Sequence, residues 1–263
     1  MYFKGEAAIV TGGGNGIGEA AAILFAEEGA SVMVADRDGD AAENVASGIR
    51  KAGGRASAFQ GDLTKPEVAE AMVAATVREF GRLDCAFNNV GGALPGAEAP
   101  MHEIDLELFD ADLRLNFYAG FYCLRAEIRH MLPKKKGAIV NTSSLAGIGG
   151  SMSNASYHVG KHGIIGMTKN AAIAYGPSAI RVNAICPGAI ETPGLLTNFS
   201  GVEGWREMLS HAALERMAAP REVAELAVWL CSDRASFITG MAIPVDGGTS
   251  AFAVRVGSMR VKN

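Results

Sequence analysis

Ala7-Ala8-Ile9-Val10-Thr11-Gly12-Gly13-Gly14-Asn15-Gly16-Ile17-Gly18 is the stretch from which the fold is read. A short apolar run, strand-like from Ala7 to Thr11, enters a glycine turn, and a helix is expected from about Gly16 to Glu28. The familiar G-x-G-x-x-G spacing does not fit, because position 17 is isoleucine; Gly12-x3-Gly16-x-Gly18 does. In that arrangement Gly12 permits the tight turn, Gly16 lets a pyrophosphate come close, and Gly18 lets the helix pack against the sheet. The helix N-terminus presents free N–H groups and a partial positive charge to phosphates. A glycine-rich turn that holds no ligand is the blander alternative.

Working outward, strand-like and helix-like segments alternate. Strands are expected at Ser31 to Asp36, Arg55 to Gln60, Leu83 to Asn88, Ala138 to Thr142, Arg181 to Cys186 and Ala242 to Val245. Helices are expected at Gly39 to Ala52, Pro66 to Phe80, Leu106 to Leu115, Asn116 to Met131, Ala155 to Tyr175 and Arg221 to Leu230. Short apolar strands separated by helices predict an α/β fold, a seven-stranded parallel sheet covered by helices on both faces. Right-handed crossovers make it doubly wound, with ligands at the carboxyl ends of the strands. No linker or repeat divides the chain, so residues 1–263 read as a single domain, with 252–263 as a flexible or subunit-docking tail.

Composition narrows the function classes. Apolar residues make up 49% of 263, enough for a large core, and the 33 glycines are too many for a helical bundle. A net charge of -4 argues against nucleic acid, and Lys134-Lys135-Lys136 reads as a solvated loop. No apolar run is long enough to span a bilayer. The N-terminus does not resemble a signal peptide. Cys85, Cys123, Cys186 and Cys231 are spread without a Cys-x-x-Cys pair, which suggests buried thiols and a cytoplasmic protein. His158 and His162 share a helix face, but no further Cys/His cluster supports a metal.

Two further groups of residues carry chemistry. Asp36 ends the second strand, eighteen residues beyond Gly18, where a carboxylate can accept hydrogen bonds from ribose hydroxyls and repel a 2'-phosphate. That favours NAD over NADP, although Arg37 beside it could hold the phosphate. In Tyr157-His158-Val159-Gly160-Lys161 a phenol and an ammonium lie four residues apart, on one helix face. A nearby ammonium lowers a phenol's pKa from about 10, which would make Tyr157 a usable acid or base. Ser143-Ser144 lies upstream, with Ser144 thirteen residues before Tyr157 and Ser143 as the competing candidate.

The glycine loop, Asn88-Asn89-Val90-Gly91, Ser144 and Tyr157-x-x-x-Lys161, in this order, resemble the short-chain dehydrogenase/reductase family in its shorter, single-domain branch. Asn116 in Leu115-Asn116-Phe117, Pro187-Gly188 with Thr192, and Asp246-Gly247-Gly248 extend the likeness over nearly the whole chain. The resemblance implies a Rossmann fold and a nicotinamide-dependent oxidoreductase. It implies that Tyr157 exchanges a proton with the substrate oxygen, that Ser144 hydrogen-bonds the same oxygen, and that Lys161 holds the nicotinamide ribose and lowers the phenol's pKa. Asn116 would hold a water in a proton relay toward Lys161. Gly12, Asn15, Gly16, Ile17, Gly18, Asp36, Arg37, Asp62, Leu63, Asn89, Val90 and Gly91 would form the adenosine and pyrophosphate site. Pro187, Gly188, Ile190 and Thr192 would position the nicotinamide. Two departures are Val90, where the family usually has alanine, and Val159-Gly160, where Ala-Ser is commoner.

Substrate identity is weakly written. Leu94, Met152, Leu195, Leu196, Phe199, Trp205 and Met208, in segments with few charges, suggest a small uncharged alcohol or ketone. Phe87-Asn88-Asn89 and Gly160-Lys161-His162 look like those of bacterial dehydrogenases of ring alcohols and cyclic diols. Within the family, the alternative is an NADP-dependent 3-oxoacyl thioester reductase; outside it, a nucleotide-sensing protein without catalysis. The resemblance also implies a homotetramer, with the helices starting near Asn116 and Ala155 at an interface.

Overall fold

β1 (Ala7–Thr11) is buried along its whole length because it has a strand on each side and helices on each face. It pairs in parallel with β2 (Ser31–Asp36) and with β4 (Cys85–Asn88). β3 (Arg55–Gln60) forms one edge, while β5 (Gly137–Thr142), β6 (Ile180–Pro187) and β7 (Ala242–Val245) extend the other. The seven parallel strands run β3-β2-β1-β4-β5-β6-β7. The chain builds outward from β1 to β3, then returns to β4, so the loops after β1 and β4 diverge and leave a crevice at the carboxyl ends. This computed structural model describes residues 1–97, 99–150, 154–199 and 212–251, with the backbone alone at 198 and 199.

Helices α1 (Gly16–Glu27), α2 (Gly39–Lys51) and α8 (Pro220–Cys231) cover one face of the sheet. α3 (Pro66–Phe80), α5 (Ala119–Met131) and α6 (Ala155–Tyr175) cover the other, with α4 (Leu106–Leu113) and the short α7 (Pro193–Phe199) at the rim. Strand residues alternate between faces. Ala8 and Val10 join Phe3, Phe25 and Phe87 on the first, while Ile9 joins Met72, Leu83, Met131 and Ile139 on the second. Each large apolar side chain so buried contributes about 1.5–3 kcal/mol before entropy is subtracted. Helix starts are fixed by side chains: Asp38 caps Ala41 N–H (3.0 Å), and Asp105 caps Leu108 N–H (2.9 Å).

The elements match the expected ones with three differences. β4 begins at Cys85 rather than Leu83; the Asp84 carboxylate just before it accepts Ala7 N–H (2.9 Å) and pairs with Arg82. The expected break between helices at Asn116 is absent. The helix continues from α4 into α5 through a π-helical turn, Arg114–Tyr118, which turns the Asn116 side chain inward. α7 was not expected at all. All four cysteines are free and buried.

A polar set lies inside the second face. Asn88 Nδ2 donates to Glu127 Oε2 (2.9 Å) and to Asn141 Oδ1 (3.1 Å), and Asn141 Nδ2 donates to Thr168 Oγ1 (3.0 Å). Glu127 is 0% exposed, and burial pushes its carboxyl up to about 8 against the opposing hydrogen bond from Asn88.

Candidate active site

The glycine turn is held by its neighbours. Thr11 Oγ1, at the end of β1, accepts Asn89 N–H (3.0 Å), and Asn89 Nδ2 donates to Gly12 O (3.4 Å). Thr142 Oγ1, at the end of β5, donates to Asn89 Oδ1 (3.3 Å). Asn89 therefore ties the ends of β1, β4 and β5 together. A Cβ at Gly18 would lie 1.9 Å from Gly12 O, so only glycine lets α1 seat on its own loop. At the end of β2, Asp36 Oδ2 accepts Gly14 N–H (2.9 Å) and Oδ1 accepts Asp38 N–H (3.0 Å). Asp62, after β3, accepts both Thr64 N–H (3.0 Å) and Thr64 Oγ1–H (2.7 Å), and the Thr64 bond is the largest influence lowering its pKa.

These loops border a cleft of about 590 Å³ at the carboxyl ends of the strands. Its wall contains Gly12, Asn15, Ile17, Asp36, Arg37, Asp62, Leu63, Asn89, Val90, Gly91, Pro187, Gly188, Ile190 and Thr192, and at its far end Ser144, Tyr157 and Lys161. Three expected site residues are not on the wall. Gly18 is in the first turn of α1, against Gly12 O; Gly16 faces Thr192, whose Cγ2 would be 3.1 Å from an added Cβ; and Asn116 is buried behind the wall. Asn116 Nδ2 donates to Gly92 O (2.9 Å) and Asp112 Oδ1 (3.0 Å), and its Oδ1 accepts Gly92 N–H (3.0 Å).

The two serines separate by their partners. Ser143 is buried, and its Oγ donates to Lys161 O (2.8 Å), which clamps the loop after β5 to α6. Ser144 Oγ accepts Ala146 N–H (3.1 Å) and shares the cleft wall with Tyr157, whose pKa it acts to lower. Lys161 is 3% exposed; its Nζ donates to Thr142 O (3.1 Å) and sits 5.4 Å from the Tyr157 ring centre. Burial pushes Lys161 down to about 8, with the Asp112 charge opposing. Tyr157 departs from expectation. Burial raises its pKa above the usual phenol value; Ser144 works against that, Asp112 adds to it, and the ammonium is not among the causes.

Asn154 on the wall was missed. It has a left-handed backbone (φ 60°) and caps α6 through Oδ1, which accepts Tyr157 N–H (3.1 Å). An asparagine three residues before the tyrosine, where a helix begins, was the available signal. Leu94, Leu115 and Leu195 supply apolar wall at the tyrosine end. Met152, Trp205, Met208 and the 252–263 tail lie outside the described residues, as does the Phe199 side chain. His158 and His162 each turn Nδ1 to a backbone oxygen one helical turn back, at 2.9 Å and 3.0 Å. No helix among the described residues is long and apolar enough to cross a membrane.

A family model described as enoyl-(acyl carrier protein) reductase matches residues 12–250. The chain is similar to a 2,5-dichloro-2,5-cyclohexadiene-1,4-diol dehydrogenase of Sphingobium indicum, 41% identical over 94% of this chain and 98% of that one. It is similar to a cyclohexanol dehydrogenase of an Acinetobacter species, 38% identical over 93% of this chain and 95% of the relative. The fold superimposes on the crystal structure of levodione reductase with a TM-score of 0.89 at 32% identity, covering 95% of this chain and 99% of the other.

Proposed function

The chain belongs to the short-chain dehydrogenase/reductase family, and on that footing we propose that it is an NAD-dependent dehydrogenase of secondary ring alcohols or cyclic diols, with Tyr157 as general acid/base. One observation carries this reading: a single cleft has the Asp36 carboxylate at one end and Ser144, Tyr157 and Lys161 at the other.

Oxidoreductases of the family use nicotinamide cofactors, and the cleft fits one. A Cβ at Gly14 would come within 2.8 Å of Ala41 Cβ and 3.0 Å of Asp36 Oδ2, so the loop is pressed against the carboxylate. Each Asp36 oxygen accepts one backbone N–H and keeps capacity for a ribose hydroxyl, while its charge would repel a 2'-phosphate. Arg37 at the same rim is the feature that speaks for NADP. A bound nicotinamide supplies the hydride acceptor or donor. The chain's residues manage the proton: Tyr157 in its phenolate form takes it from the alcohol as the carbonyl forms, and in the reverse direction the neutral phenol returns it. Ser144 donates a hydrogen bond to the same oxygen, stabilising charge as it develops. Lys161 orients the ribose, and Asn116 supports the relay behind it.

The names of the relatives support a ring alcohol, and the apolar Leu94, Leu115 and Leu195 support an uncharged one. The test is a panel of cyclohexanol, cyclic diols and a 3-oxoacyl thioester with NAD and NADP, read by cofactor absorbance. Turnover of the ring alcohols with NAD is expected. Exclusive turnover of the thioester with NADPH would replace this reading by the acyl reductase. A cytoplasmic location is part of the proposal, in keeping with four free thiols. So is a homotetramer, supported by exposed Tyr118 on the π-turn, Phe121 on α5, Val159 and Ile173 on α6, and Phe237 in the segment before β7. Elution as a monomer at all concentrations would contradict the assembly.

A further inference from the structure

We propose that Asp112 is a positioning residue of the active site, a buried carboxylate that fixes the Asn116 amide and, through it, the place of the Lys161 ammonium. The proposal rests on the dehydrogenase reading for its meaning, but part of its test does not need turnover.

The geometry starts at the π-turn. Asp112 is 0% exposed on the last turn of α4, and Asn116 lies in the middle of the widened turn that follows. An asparagine amide has two ends that can exchange places, and the chain removes that freedom. Asp112 Oδ1 is an acceptor, so it takes the amide nitrogen (3.0 Å). The oxygen is thereby directed to Gly92 N–H (3.0 Å). That oxygen and Lys161 Nζ flank one point: a Cβ on Gly91 would stand 2.9 Å from the first and 2.8 Å from the second. Asn116 is also pressed against α6, since a Cβ on Gly160 would stand 3.2 Å from Asn116 Cβ. Hence a carboxylate outside the cleft wall sets a polar atom immediately behind it.

Charge supports the same role. Asp112 is the largest influence opposing the burial of the Lys161 ammonium, and it also raises the Tyr157 pKa. The other groups acting on this pair are Cys186 from β6, on Lys161, and Ser144 from the loop after β5, on Tyr157. Thr142 O at the end of β5 accepts the Lys161 proton donor, and Asp246 after β7 acts on Cys186 rather than on the pair. Removing the Asp112 charge therefore moves both titrations to lower pH.

Two variants separate charge from hydrogen bonding. Asp112→Asn removes the charge and keeps an oxygen that can accept the Asn116 amide; Asp112→Val removes both. Lysine side-chain NMR of isotopically labelled protein, with Lys161 assigned by its loss in Lys161→Ala, follows the amine without any substrate. Its midpoint, near 8 in the unaltered chain, is expected to fall by about half a pH unit or more in both variants. In NAD-dependent oxidation of the best panel alcohol, Asp112→Asn should shift the pH limb the same way. Asp112→Val should in addition lower plateau kcat about tenfold or more, with KM for NAD nearly unchanged. An unmoved Lys161 midpoint in the folded variants, or a plateau kcat in Asp112→Val equal to that of Asp112→Asn, overturns the proposal. Failure of both variants to fold overturns it as well, since Asp112 would then be a folding residue. Lack of turnover on the whole panel by the unaltered protein counts against the dehydrogenase reading, and the NMR result then decides on Asp112 alone.

Discussion

Gly91→Ala is expected to leave the fold standing and disable the site. The added Cβ would lie 2.8 Å from Lys161 Nζ and 2.9 Å from Asn116 Oδ1. Ordinary carbon contacts lie at about 3.5–4.0 Å, so the ammonium must retreat by about 0.7–1.2 Å. It has little room, being 3% exposed and bonded to Thr142 O at 3.1 Å. Asn116 Oδ1 is held by Gly92 N–H and cannot easily yield instead. The atoms that clash are both ends of side chains, and alanine at the Gly91 φ of 158° adds backbone strain, so the stability loss is expected at about 2–4 kcal/mol. A misplacement of about 1 Å in a positioned group costs catalysis about a hundredfold. The assay is kcat and KM for NAD-dependent alcohol oxidation alongside thermal melting. Folded Gly91→Ala with kcat within about threefold of the unaltered protein would refute the claim that the Lys161 position limits the reaction. A variant that fails by unfolding would refute the claim that the fold tolerates the clash and the strain.

Two other substitutions probe the two ends of the account. Asp36→Ser removes the carboxylate facing the adenosine ribose; the loss of charge-assisted hydrogen bonding, about 1.5–3 kcal/mol, should move the NADP-to-NAD ratio of kcat/KM about tenfold or more toward NADP. An unchanged ratio would show that Arg37 or another group sets the preference. Glu127 binds its proton more tightly folded (about 8) than its ordinary value of 4.5. The native state therefore holds more protons between those values, and stability falls as pH rises through that window. Glu127→Gln removes the titration, so its stability advantage over the unaltered protein should grow by about 2 kcal/mol or more from pH 5 to 8 in denaturant unfolding. An advantage that stays constant or shrinks would place the carboxylate in a better-solvated setting.

Most of the sheet was legible because its strands are short apolar runs punctuated by glycine, and parallel strands must be buried on both faces. Ala7–Thr11, Ser31–Asp36 and Arg55–Gln60 lie where the sequence puts them. The π-turn at Asn116 was not legible, since a widened turn keeps helical composition and differs by one hydrogen-bond register. Spacing alone favours Ser144 over Ser143 as the partner of Tyr157, whereas the Ser143 clamp on Lys161 O needed the packing of α6. The direction of the Tyr157 shift was misjudged because spacing on a helix reports a nearby ammonium but not the burial that opposes ionisation. Asp112 reads in the sequence as one of many helix carboxylates; only the inward turn of its neighbour reveals it.

The central claim is that Tyr157 exchanges a proton with a secondary alcohol oxygen beside NAD. It is tested most directly by following NADH formation from cyclohexanol and cyclic diols with the unaltered protein and with Tyr157→Phe, while measuring NAD binding to both by calorimetry. The account requires turnover by the first, its near-complete loss in the second, and similar NAD affinity in the two. Tyr157→Phe turning over at the full rate, or an unaltered protein that binds NAD and oxidises none of the alcohols, would contradict it.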